Sequence, residues 1–81
     1  MSERVYNLKN LAKKTYDLEI MTIELEEIMK DRKRLFESVE RDGVTPFTKQ
    51  AKGIMECIVE FKELEMKRCS IEIEYLNSKL K

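Results

Sequence analysis

The chain is punctuated once. Its one cluster of helix-stopping residues is Asp42-Gly43-Val44-Thr45-Pro46, near the middle. Gly43 suits the left-handed position that follows a helix, Thr45 suits an N-cap, and Pro46 suits the first helical residue after it. Gly53 lies inside an otherwise helical pattern, where it costs about 1 kcal/mol against Ala without ending the helix. Ser2 is placed to cap the start. These marks predict a helix over about residues 3–41, a turn at about 42–45 and a helix over about 46–79. Two helices on the order of 50 Å long, joined by so short a turn, fold back as an antiparallel hairpin. The expectation is a single all-α helical-hairpin domain over the 81 residues.

Composition agrees with helices. Hydrophobic residues are 42% and charged residues 40% of the chain, with two Gly and one Pro. That mixture belongs to long amphipathic helices, and a disordered chain would be poorer in Ile, Leu, Val and Phe. Ile71-Glu72-Ile73-Glu74-Tyr75 alternates like a strand, as does part of Ile20 to Leu25. No turn signals flank either run, so both are read as helical with apolar residues on two faces.

The first helix carries Leu8, Leu11, Thr15, Leu18, Met21, Leu25, Ile28, Arg32, Leu35 and Val39 at steps of three and four. A shorter stripe through Val5, Ala12, Tyr16, Ile20 and Ile23 lies roughly 140° round from it. The second helix has two seams on nearly opposite sides. One runs Ala51, Ile54, Ile58, Phe61, Leu64, Arg68, Ile71 and Tyr75. The other runs Met55, Val59, Lys62, Met66, Cys69, Ile73, Leu76 and Leu80, and only Lys62 breaks its apolar heptad pattern.

A hairpin buries one stripe from each helix. With the long first-helix seam against the Phe61 seam, Tyr16, Ile20 and Ile23 are left over on the same side as Met55, Val59, Met66, Cys69, Ile73, Leu76 and Leu80. One continuous apolar face is then expected, and a stable monomer does not leave such a face in water. A second copy is the simplest cover, because a two-fold axis pairs a face with itself. A homodimer in the form of a four-helix bundle is therefore expected. Tyr6, Tyr16 and Tyr75 gather at the end with both termini, so a different protein partner is expected there, through Tyr16, Ile20, Ile23, Ile73 and Leu76.

Several functions are disfavoured. There is no histidine, which removes the commonest general base and metal ligand. Carboxylate-bridged sites in bundles use a Glu-x-x-His pair, so Glu24 with Glu27, or Glu60 with Glu63, read as solvated faces. Cys57 and Cys69 lie about 18 Å apart on one helix, too far for a disulfide and without zinc spacing. Neither has an obvious base, and packing is the expected role of both. The opening MSERVYNLKN has no apolar signal core and no run is long enough to span a membrane. Reduced thiols and no membrane segment give a cytoplasmic expectation.

Sixteen basic and sixteen acidic residues cancel, which disfavours nucleic acid as a default partner. Lys30, Arg32, Lys33 and Arg34 form the one basic cluster, beside an acidic block at residues 17–27. Arg32 is expected to pair across the hairpin with Glu56, and Arg68 with Glu19, fixing the register. The alternative is a set of phosphate contacts. In outline the hairpin dimer resembles Rop, a small plasmid-copy-control protein that binds RNA as a hairpin dimer. The likeness is one of architecture, without a shared motif, and implies RNA contact through Lys30 to Arg34. A third possibility holds an anionic substrate among Arg, Lys and Glu side chains, as all-helical chorismate mutases do, with Arg32 and Arg68 as the candidates and again without likeness of sequence. The leading expectation is a non-enzymatic, self-associating protein–protein interaction module, an adaptor, assembly factor or small inhibitor, with no catalytic residues, cofactor, metal or small-molecule substrate.

Overall fold

The computed structural model describes residues 2–81. They form two helices, α1 over Glu3–Asp42 and α2 over Pro46–Leu80, folded into a hairpin of 60 × 18 × 15 Å. Local chemistry sets the ends. Ser2 Oγ accepts a hydrogen bond from the Val5 N–H at 3.2 Å. Gly43 has φ 83°, and its N–H donates to the Val39 carbonyl at 2.7 Å, closing the last turn of α1. A side chain at Gly43 would be strained in that left-handed region. The Thr45 hydroxyl accepts from the Thr48 N–H at 3.1 Å, while the Thr48 hydroxyl accepts from the Thr45 N–H at 2.8 Å. This reciprocal cap, with Pro46 following it, starts α2.

The seam of α1 that faces its neighbour is the expected one: Leu11, Leu18, Met21, Leu25, Ile28, Leu35 and Val39 are all half-buried. The seam of α2 is the other of the two. Cys69 and Leu76 are buried, at 4% and 9% exposure, and Met55, Val59, Met66, Ile73 and Leu80 are half-buried. Ile54, Ile58, Phe61, Leu64, Ile71 and Tyr75 stand in solvent instead. Bulk accounts for the choice. Val59 and Cys69 let the helices approach closely, whereas Phe61, Arg68 and Tyr75 would hold them apart. Lys62 is tolerated inside because its stem lies along the seam while its ammonium reaches out to Glu24 Oε2 at 3.2 Å.

This exchange moves the leftover stripes. Asp17, Met21, Glu24 and Ile28 of α1 line the same side of the hairpin as Ile58, Phe61, Glu65 and Arg68 of α2. Tyr16, Ile20 and Ile23 centre roughly a quarter-turn away from that row, on the back of α1 that points away from α2. The continuous face expected from both helices is therefore replaced by two separate ones, because only α2 turned its other seam inward.

Charge fixes the register. Lys14 pairs with Glu72 at 2.5 Å, Lys62 with Glu24, and Lys79 with Glu3 at 4.0 Å. The expected arginine ties are not the ones formed. Arg68, on the outer seam and 85% exposed in its side chain, bonds Glu72 one turn along its own helix. Arg32 lays its guanidinium over the Phe36 ring at 4.9 Å.

Candidate interaction surface

The inner contact leaves little interior. Among the described residues only Asn7, Cys69 and Leu76 are buried. The accessible surface is 6503 Å², against about 5100 Å² for a compact monomer of this mass. Part of the excess is the elongated shape, and part is the outer seam of α2. Ile54, Cys57, Phe61, Leu64, Arg68, Ile71 and Tyr75 recur along it at alternating steps of three and four. Phe61 is 64% and Leu64 66% exposed. Beside the seam, where α2 carries Gly53, runs an open and mainly apolar groove of about 720 Å³. Ile54, Ile58 and Phe61 form its α2 wall, with Ile28 and Glu24 across from them.

The residues expected to form the partner face divide between two places. Met55, Val59, Met66, Cys69, Ile73, Leu76 and Leu80 belong to the contact inside the hairpin, so they offer no free face. Ile73→Asp would damage the fold rather than report on a partner. Tyr16, Ile20 and Ile23 are exposed, as a short isolated stripe on α1. Ile54, Ile58, Phe61, Leu64, Ile71 and Tyr75 take the role of the apolar surface. The available signal for them was side-chain size, since the aromatic rings and the arginine all lie on one of the two α2 seams.

The basic cluster is largely neutralised by neighbours on α1. Lys30 pairs with Glu27 at 3.2 Å and Arg34 with Asp31 at 3.1 Å, each one turn away. Arg32 is occupied with Phe36, whose ring also carries the Lys52 ammonium of α2 at 5.3 Å. Among the described residues no group of three or more acidic residues or cysteines could hold a metal ion, and no helix is long and apolar enough to cross a membrane.

One polar cluster lies between the helices near the termini. Cys69 Sγ donates to the Lys14 carbonyl at 3.2 Å, while the Lys14 ammonium holds Glu72. Burial pushes the Cys69 thiol above its ordinary range, and Glu72 and Asp17 push the same way against the pull of Lys14. The hydrogen bond and charge of Glu72 raise Lys14. The hydrogen bond from Lys14 lowers Glu72 in spite of partial burial, with Arg68 helping. A thiol held protonated, with its proton committed to a carbonyl, is a packing group rather than a nucleophile. Comparison with protein-family models, curated proteins and solved structures finds no match for this chain.

Proposed function

We propose that this chain is a non-enzymatic protein–protein interaction module that self-associates through the outer seam of α2. The observation that carries this reading is the row from Ile54 to Tyr75, apolar but for Cys57 and Arg68 and exposed on a helix whose other seam is already satisfied. Each of six apolar side chains, Ile58 included, keeps about half its surface in water. From two copies their further burial is worth about 10 to 20 kcal/mol gross. Association costs about 4 to 15 kcal/mol. The two sums are comparable, which suits a reversible dimer. Such a dimer has four helices, with the α2 pair central and α1 outermost. The two seams of α2 are roughly 130° to 150° apart, wider than the right angle of a square bundle, so the four helices form an open, curved layer. The module works in the cytoplasm, where Cys57 and Cys69 stay reduced.

Light scattering on a size-exclusion column, over a range of concentrations, tests this reading. The expected mass approaches twice 9.7 kDa as concentration rises. Phe61→Asp should give a monomer at every concentration with its helical circular dichroism intact, because Phe61 makes no part of the inner seam. A native chain that stays monomeric throughout, or a Phe61→Asp variant that dimerises like the native chain, overturns the proposal.

A further inference from the structure

The outer seam can meet a second copy in several registers, and the charges beside it separate them. Glu60 and Lys67 flank the seam on its outer edge, one heptad apart. Both are exposed, and neither belongs to an ion pair among the described residues. In antiparallel heptad packing, residues on a given flank meet the same flank of the other helix, and a two-fold axis makes every such contact twice.

One antiparallel register sets Phe61 against the partner's Leu64 and Ile54 against the partner's Ile71. It places Glu60 beside the partner's Lys67, and symmetry repeats that pair. A slide of one heptad in one direction brings Lys67 against the partner's Lys67 and Glu60 against the partner's Glu74. A slide in the other direction brings Glu60 against the partner's Glu60. Parallel pairing stacks Arg68 on the partner's Arg68 inside the seam and sets Glu60 beside the partner's Glu65. Apolar overlap and charge therefore favour the same arrangement, and each alternative meets like charges.

We infer that α2 pairs antiparallel with α2 of a second copy in the register that sets Glu60 against the partner's Lys67. The inference rests on the self-association proposed above and adds its geometry. Cys57 then lies opposite the partner's Arg68, the one polar layer between Ile54 and Ile71.

Charge exchange tests the register. Glu60→Lys and Lys67→Glu are made singly and together, and dissociation constants are measured by sedimentation equilibrium at low salt. Each single change turns two attractive pairs into repulsive ones and should weaken the dimer about tenfold. The double variant restores both pairs and should return to within about threefold of the native value. Both positions are exposed, and circular dichroism checks that each variant remains helical. Singles that dimerise like the native chain, a double variant weaker than either single, or a dimer tightened by Glu60→Lys alone overturns the register while leaving self-association standing. A native chain that is monomeric throughout removes self-association itself, and the register with it.

Discussion

At the end that carries both termini, α1 and α2 are tied by the Lys14–Glu72 and Lys79–Glu3 pairs and by the Cys69 hydrogen bond to the Lys14 carbonyl. The three residues buried among those described, Asn7, Cys69 and Leu76, lie in that half. Lys62 still reaches across to Glu24 near mid-hairpin, but nearer the turn the ion pairs are local: Lys30 with Glu27, Arg34 with Asp31 and Arg41 with Asp42. The helices are joined there by half-buried apolar side chains and by Lys52 over the Phe36 ring, and the Arg32 Nε is buried without a hydrogen-bond partner. Exposed apolar side chains stand in both halves, Phe47, Ile54, Ile58 and Phe61 toward the turn and Leu64, Ile71 and Tyr75 toward the termini. The end that carries the termini is thus tied by more contacts of its own, while the exposed apolar row of α2 runs through both halves.

The sharpest way to break this contrast is to truncate one side chain in each half. Leu76→Ala should lower stability by about 2 to 3 kcal/mol, at the lower end for a buried leucine because a two-helix contact relaxes readily. Ile54→Ala, at a side chain half in water, should cost less than about 1 kcal/mol at concentrations where the chain is monomeric. Urea unfolding followed by circular dichroism measures both. Equal losses would mean that the two halves are equally closed.

The two thiols sharpen it further. Cys57 is exposed on the outer seam, whereas Cys69 is buried and its thiol is pushed up by that burial. Labelling with a disulfide reagent at low protein concentration should modify Cys57 at least about tenfold faster, since the thiolate is the reacting form and Cys69 supplies little of it. As concentration rises, Cys57 should slow as the outer seam is covered, while Cys69 keeps its rate. A Cys57 rate that ignores concentration would count against the outer seam as the contact surface.

Much of this architecture is legible in the sequence because it depends on local chemistry. Ser2, Gly43, Thr45 and Pro46 act through their own backbone geometry and nearest neighbours, so the helix ends fall within a residue or so of where those residues put them. The inner face of α1 is legible too, since one seam runs its whole length. The inner face of α2 is not, because two seams of equal heptad regularity compete and periodicity cannot rank them. What decides is three-dimensional. Val59 and Cys69 allow close approach, and the Lys62 stem spans the contact to reach Glu24. Phe61 and Tyr75 are too bulky for the gap. Once that choice is reversed, the leftover stripes of α1 and α2 no longer share one face. One exchanged seam thus moved the α2 part of the candidate surface and left Tyr16, Ile20 and Ile23 apart from it.

The smallest expected effect is in pH, and it belongs to the closed half, where Lys14, Cys69 and Glu72 titrate away from their ordinary ranges. Glu72 is lowered on folding, so its contribution is present above the ordinary carboxylate value of 4.5 and is lost as pH falls through the lower folded value. Lys14 is raised, so its contribution is present below 10.5 and is lost as pH rises through the higher folded value. Cys69 is raised as well, and loses its contribution upward from 9.0. Stability should therefore form a plateau near neutrality with a shallow fall on each side. Glu72→Gln should flatten the acid side, Lys14→Met should flatten both, and Cys69→Ala should affect only the alkaline side. Solvent reaches the Lys14–Glu72 pair, so added salt should shrink the first two differences and leave that of Cys69, which comes from burial. Thermal unfolding across pH at two salt concentrations separates them. A Glu72→Gln variant whose acid side matches the native chain would show that the pair does nothing for the closed end, and packing around Cys69 and Leu76 would then be what distinguishes the two halves.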